Sequence, residues 1–118
     1  MKNKSFSHRL GFALHGIGAG LRSESSLRQQ AAAAALVLAV LAWRRPAPVW
    51  WALLIMNCGA VLAAELMNTA LEHALDHLNP ELHPAIKLAK DCAAGAVLVL
   101  SLAAVATFVA FLAATFRT

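Results

Sequence analysis

Residues 46–64 read PAPVWWALLIMNCGAVLAA, 19 residues without a charge, and Glu65 follows at once. At 1.5 Å per residue a helix over this stretch is roughly 28 Å long, close to the hydrocarbon thickness of a bilayer. That length and composition define a membrane-spanning helix. Upstream, residues 31–43 are wholly apolar, and this run is long enough to cross if its helix begins near Ser26. Between the two lies Arg44-Arg45-Pro46-Ala47-Pro48; proline stops the preceding helix and turns the chain. Downstream, residues 92–116 are 25 uncharged residues, a third span.

Composition agrees with the runs. Of 118 residues, 60% are hydrophobic and 14% charged, against roughly 25% charged in an average soluble domain. Mean hydropathy is +0.65. A soluble fold this small cannot hide so much apolar side chain. Disordered, collagen-like and disulfide-scaffold chains are excluded as well. The net charge of +4 reads as basic residues flanking spans. Nucleic acid is not an expected partner, because no basic run interleaved with aromatics is present. Cys58 and Cys92 sit in apolar stretches with no C-x-x-C pair, so neither zinc nor a redox centre is indicated.

The first 28 residues carry Lys2, Lys4, Arg9, Arg22 and Arg28 and lack the apolar core of a signal peptide. Phe6, Leu10, Ala13, Leu14, Ile17 and Leu21 recur at spacings of three and four, with His8, Arg9, His15 and Arg22 off that stripe. This is the pattern of a helix lying in the membrane interface. The expected architecture is therefore an all-α membrane protein in a single domain over 1–118. It has an amphipathic surface helix about 5–22 and three transmembrane helices at about 27–44, 47–77 and 87–116. Counting Lys and Arg puts seven on the side shared by the N-terminus and residues 65–91, and three on the other. The N-terminus is then cytoplasmic, with Trp43, Trp50 and Trp51 as an aromatic belt at the outer turn.

Acidic residues gather on the inner face. Glu65, Asn68, Glu72 and Asp76 follow one another at i, i+3, i+7 and i+11, one stripe of a helix continuing the second span. Carboxylates four apart on one face repel unless something positive compensates, and a divalent cation is a natural compensator. A solvated polar stripe is the plain alternative, strongest for Asp76; Glu81 reads as simply solvated. Glu65 stands at the membrane boundary, where an ionisable group is costly and points to function. Glu24, at the entry to the first span, reads as a helix cap or as part of the same site. Lys90 opens the third span, where a cation is electrostatically unfavourable; a phosphate or a nearby carboxylate would offset it. Carboxylates for a metal, one to take a hydroxyl proton, and a lysine for phosphate are the parts of phosphoryl transfer. No P-loop or protein-kinase motif set is present.

The stretch Glu65-Leu66-Met67-Asn68-Thr69-Ala70-Leu71-Glu72 resembles the E-x-x-N-[ST]-A-[IL]-E signature of the small prokaryotic diacylglycerol kinases. Ala89-Lys90-Asp91 resembles their A-K-D motif, and Glu24 with Leu27-Arg28-Gln29 their E-x-x-[FL]-R-Q segment. The resemblance implies an integral-membrane lipid kinase of the bacterial inner membrane. It implies a homotrimer of three-span protomers that transfers the γ-phosphoryl group of MgATP to a lipid alcohol. By position it makes Glu24 and Glu72 ligands of Mg²⁺ and of the nucleotide bound to it. Glu65 becomes the general base on the lipid hydroxyl, and Asn68 orients the reacting groups. Lys90 and Asp91 bind the nucleotide, with His83 covering it and Phe12 stacking. Arg28 joins Glu65 and Asn68 at the lipid headgroup.

Some residues depart from the pattern. The chain has no tyrosine, so Phe12 stands where some members carry one. Gln30 replaces an acid found after Arg-Gln in members nearest the enterobacterial enzymes. Residues 83–91 look more like the undecaprenol kinase branch. Diacylglycerol is the favoured substrate and undecaprenol the alternative. A non-catalytic membrane assembly or transport protein is the reading from another class.

Overall fold

Each of the three charge-poor runs forms one continuous helix, and a fourth precedes them. The computed structural model describes residues 3–78 and 83–116. The elements are α1 (Phe6–Ser23), α2 (Ser25–Arg44), α3 (Pro48–Leu78) and α4 (Pro84–Thr115). Lys2, Glu81 and Arg117, and the loop expected at Asn79-Pro80, lie outside the described residues. The last three helices are long and apolar enough to cross a bilayer.

Their ends have local causes. Glu24 alone separates α1 from α2, in extended backbone at φ −116°, ψ 114°. At the other end of α2, Arg45 adopts the left-handed conformation, φ 49°, and its N–H donates to Leu41 O at 2.8 Å. This closes the helix as glycine commonly does, and Pro46 prevents its resumption. Pro84 starts α4, where its missing N–H costs nothing. The helix is capped by His83, whose Nδ1 accepts from Ala85 N at 3.1 Å.

α3 is the central element, packed against α2, α4 and more lightly α1. At the end near the α2–α3 turn, Leu41, Leu54 and Phe111 are fully buried and surrounded by Val37, Val40, Trp50, Trp51, Phe108 and Leu112. Arg44 joins α2 to the end of α4 there. It donates to Thr115 O at 2.6 Å and lies 3.9 Å from the Phe116 ring centroid. Beyond this cluster the buried residues among those described are Gly20, Leu27, Val61 and Glu65, and large apolar side chains stay open. Leu36, Met56, Val99, Leu102 and Val105 are all at least 60% exposed. In water such a surface would be untenable; in a bilayer the lipid tails, or another copy of the chain, are its solvent.

Helix lengths position the polar residues. α2, of 20 residues, is about 30 Å long and matches the hydrocarbon core. α3 and α4 have 31 and 32 residues, about 47 Å each. Residues 65–78 of α3 and 84–91 of α4 are the charged ends of these long helices, at the same end of the α3–α4 pair, and at this length they extend beyond a hydrocarbon core of about 30 Å.

Candidate active site

Glu24 is the hinge of the site. Its N–H donates to Gly20 O at 2.9 Å and its carbonyl accepts from Arg28 N at 3.2 Å, so its backbone finishes α1 and begins α2. Its side chain makes no capping hydrogen bond. Glu24 thus occupies the N-cap position of α2, where its charge can offset the helix dipole, without the hydrogen bond that shorter capping side chains make. The carboxylate instead points toward α3, with Oε1 3.8 Å from His73 Nε2.

Gly20 and Arg28 fix this hinge. Gly20 is buried; a Cβ there would stand 2.9 Å from Leu27 Cδ2 and 3.2 Å from Leu66 Cδ2. Absence of a side chain is what lets α1 touch both α2 and α3. Arg28 NH1 donates to the carbonyls of Leu21, at 2.8 Å, and Arg22, at 3.0 Å, rather than standing free.

The acidic stripe of α3 runs from buried to exposed. Glu65 is 4% exposed, and its Oε2 accepts from Ser26 Oγ of α2 at 3.1 Å. One turn on, Asn68 Nδ2 donates to Glu72 Oε1 at 3.2 Å. That donor assignment is fixed, because the reversed amide would set oxygen against carboxylate oxygen. Asn68 Oδ1 is then a buried acceptor with no partner. Asp76 is exposed, yet it is paired with Lys90 of α4. Asp91 pairs with Lys87, 2.6 Å away and four residues earlier.

The expected residues thus fall into two groups on one side of the bilayer. Glu24, Glu65, Asn68 and Glu72 lie where α1, α2 and α3 join, in separate contacts with His73, Ser26 and one another. Lys90 and Asp91 lie in the first turns of α4, where Lys90 reaches α3 through Asp76 and Asp91 pairs with Lys87. His83 caps α4, and Phe12 stands on α1, 44% exposed; neither has a described contact with the acidic group. Two polar partners, Ser26 and His73, carry no sequence signal. Each becomes visible only when the helices are placed together. A cleft of about 560 Å³ opens between α1 and α3 beside His73, lined also by Gly16, Gly20, Ser23 and Thr69.

Among the described residues no three His, Cys, Asp or Glu side chains converge on one point. Mg²⁺ does not require such a cluster. Mg²⁺ keeps several waters and is usually bound by one or two carboxylates together with substrate phosphates. Glu24, Glu72 and the unpartnered Asn68 Oδ1 offer hard oxygen donors of the right kind.

Three membrane-crossing helices carrying a buried carboxylate, further carboxylates and a lysine at one bilayer face define a helical membrane protein equipped for phosphoryl transfer. The family model described as prokaryotic diacylglycerol kinase matches residues 11–112, and the chain belongs to that family. It is 38% identical over 96 residues to undecaprenol kinase of Bacillus subtilis, covering 81% of this chain and 75% of the relative. It is 30% identical over 98 residues to diacylglycerol kinase of Escherichia coli K12, covering 83% and 80%. A Synechocystis diacylglycerol kinase is 47% identical over 55 residues, 46% of this chain and 31% of that one. Membership makes the protein a multi-pass membrane lipid kinase that uses ATP and a divalent metal.

Proposed function

We propose that the chain transfers the γ-phosphoryl group of MgATP to the hydroxyl of a membrane lipid, as a homotrimer with its N-terminus and site in the cytoplasm. One observation carries the chemical part: Glu65 is buried at the membrane boundary and accepts a hydrogen bond from a hydroxyl, that of Ser26. A lipid alcohol presented from the bilayer needs the same relation to a base.

In this reading Glu65 holds the lipid hydroxyl and takes its proton as the oxygen attacks. Transfer to a phosphoryl group depends mainly on position and on charge neutralisation. Glu24 and Glu72 hold Mg²⁺, which when bound draws charge from the phosphate oxygens. Asn68 keeps Glu72 oriented through Nδ2 and offers Oδ1 to the reacting groups. Lys90, exchanging Asp76 for phosphate, neutralises the nucleotide, while Asp91, His83 and Phe12 stand at its distal end.

Two acceptors compete, each with support. Diacylglycerol fits the motif set and the name of the matched family. Undecaprenol fits residues 83–91 and the 38% identity to a relative of that name, against 30% to the Escherichia coli enzyme. Purified protein offered both alcohols with MgATP and labelled γ-phosphate decides between them. The preferred substrate shows the larger kcat/KM, and no organic-soluble labelled product from either removes the kinase reading in favour of a non-catalytic membrane protein.

A further inference from the structure

We infer that Arg28 is a positioning residue that acts through Glu24, and does not contact the lipid headgroup. The inference rests on the reading of Glu24 as a ligand of Mg²⁺.

An arginine four residues into a helix is badly placed for that helix. The N-terminal end of α2 carries the positive end of the helix dipole, and its first turn has no acidic side chain to offset a cation. The compensation comes from α1. The last carbonyls of a helix have no partner within it and favour a cation. Here Glu24 N–H satisfies Gly20 O, and a single guanidinium nitrogen of Arg28 satisfies both Leu21 O and Arg22 O. Arg28 thus does for α1 what a C-terminal glycine motif does elsewhere, from the next helix along.

The arrangement closes a loop around one residue. Arg28 N–H also donates to Glu24 O, so backbone and side chain of Arg28 grip both sides of Glu24. Leu27, 2% exposed, packs under Gly20 on the opposite side. Glu24, the only residue between α1 and α2, is left with no freedom except in its side chain. Without Arg28 the two carbonyls turn to water, the end of α1 frays, and Glu24 is no longer held facing α3. A site in which a metal is shared between helices is sensitive to such loss, because small displacements of a ligand are costly.

The test uses full-length protein in lipid nanodiscs. In Arg28→Gln, amide hydrogen exchange over residues 20–24 should rise, and MgATP binding measured without lipid acceptor should weaken by about tenfold. The KM for lipid should stay within twofold. Arg28→Lys, which keeps the charge and can donate to one or both carbonyls, should recover part of the binding. Combined with Glu24→Gln, Arg28→Gln should add little further loss, as expected for residues acting through one group. A raised lipid KM with unchanged exchange would overturn the inference in favour of a headgroup contact. Faster exchange with unchanged MgATP binding would overturn it too, since the brace would then be structural alone. Glu24→Gln by itself separates the two layers: normal MgATP binding in that variant removes Glu24 from the metal site, whereas the exchange data still report whether Arg28 braces the joint.

Discussion

The carboxylates of the α3 stripe share one helical spacing and differ in burial and partner. Glu65 is buried and bonded to Ser26; Glu72 is half-buried and bonded to Asn68; Asp76 is exposed and paired with Lys90. Their substitutions should therefore separate. Glu65→Gln keeps the volume and removes the base, so turnover should fall by roughly 10²–10⁴-fold with MgATP affinity nearly intact. Glu72→Gln should instead weaken MgATP binding, and excess Mg²⁺ should restore part of it. Asp76→Asn should be milder than either, because an exposed ion pair contributes little. Steady-state kinetics and MgATP affinity for each purified variant check this. Equal, small effects at all three positions would mean a solvated stripe, and near-normal turnover in Glu65→Gln would remove its role as base. The stripe was legible in sequence from its spacing alone. Its two ends were legible too, Glu65 at the membrane boundary and Asp76 as the most solvated; the partner Ser26 was not, since it depends on how the helices pack.

At the scale of the elements, runs without charge marked α2, α3 and α4, because a spanning helix must satisfy its backbone internally and face lipid with apolar side chains. The surface helix was legible from its apolar stripe. What could not be read is the crossing of α1 over α3, which depends on the missing side chain of Gly20 and the contact with Leu66. Gly20→Ala tests that crossing. The new methyl would stand 2.9 Å from the buried Leu27; Leu27 has little room to yield, so α1 should be displaced. MgATP binding should weaken together with thermal stability, and an unchanged melting temperature with unchanged binding would mean that α1 tolerates the shift. Gly59→Ala is the matched control, since a Cβ there meets nothing within 4 Å. The α2–α3 turn offers a second test. Arg45 holds a left-handed backbone at φ 49°, which costs a non-glycine residue roughly 1–2 kcal/mol. Glycine would relieve this but lose about 0.4–1 kcal/mol through greater freedom in the unfolded chain. Arg45→Gly should therefore raise stability by at most about 1.5 kcal/mol by those two figures. A clear fall in melting temperature would show that the Arg45 side chain itself anchors the turn.

For the molecule as a whole, the one buried cluster lies at one end of the helices, with Leu27 and Val61 buried singly elsewhere, while large apolar side chains cover much of the surface. Lipid can solvate that surface, but the small residues point to something more. Apart from its own helix backbone, a Cβ added at Gly59 or Gly95 meets no atom of the described residues within 4 Å. Neither glycine is thus required for packing within one protomer. In a bilayer, small residues on an open helix face let another backbone approach closely. Bulk at such a face harms only an assembly of copies, and this separates the proposed homotrimer from a protomer that works alone. Gly95→Leu should leave the helix content of the protein unchanged, since the single chain has room for it. The detergent-solubilised complex should shift toward smaller species, and specific activity should fall in step with the lost complex. Gly95→Ala, one methyl, should be close to neutral. Mass measurement in detergent by light scattering, read beside the kinase assay, gives both quantities on one preparation. A monomeric Gly95→Leu protein with full activity would show that each chain holds a complete site, and a native protein that is monomeric and active would remove the trimer altogether.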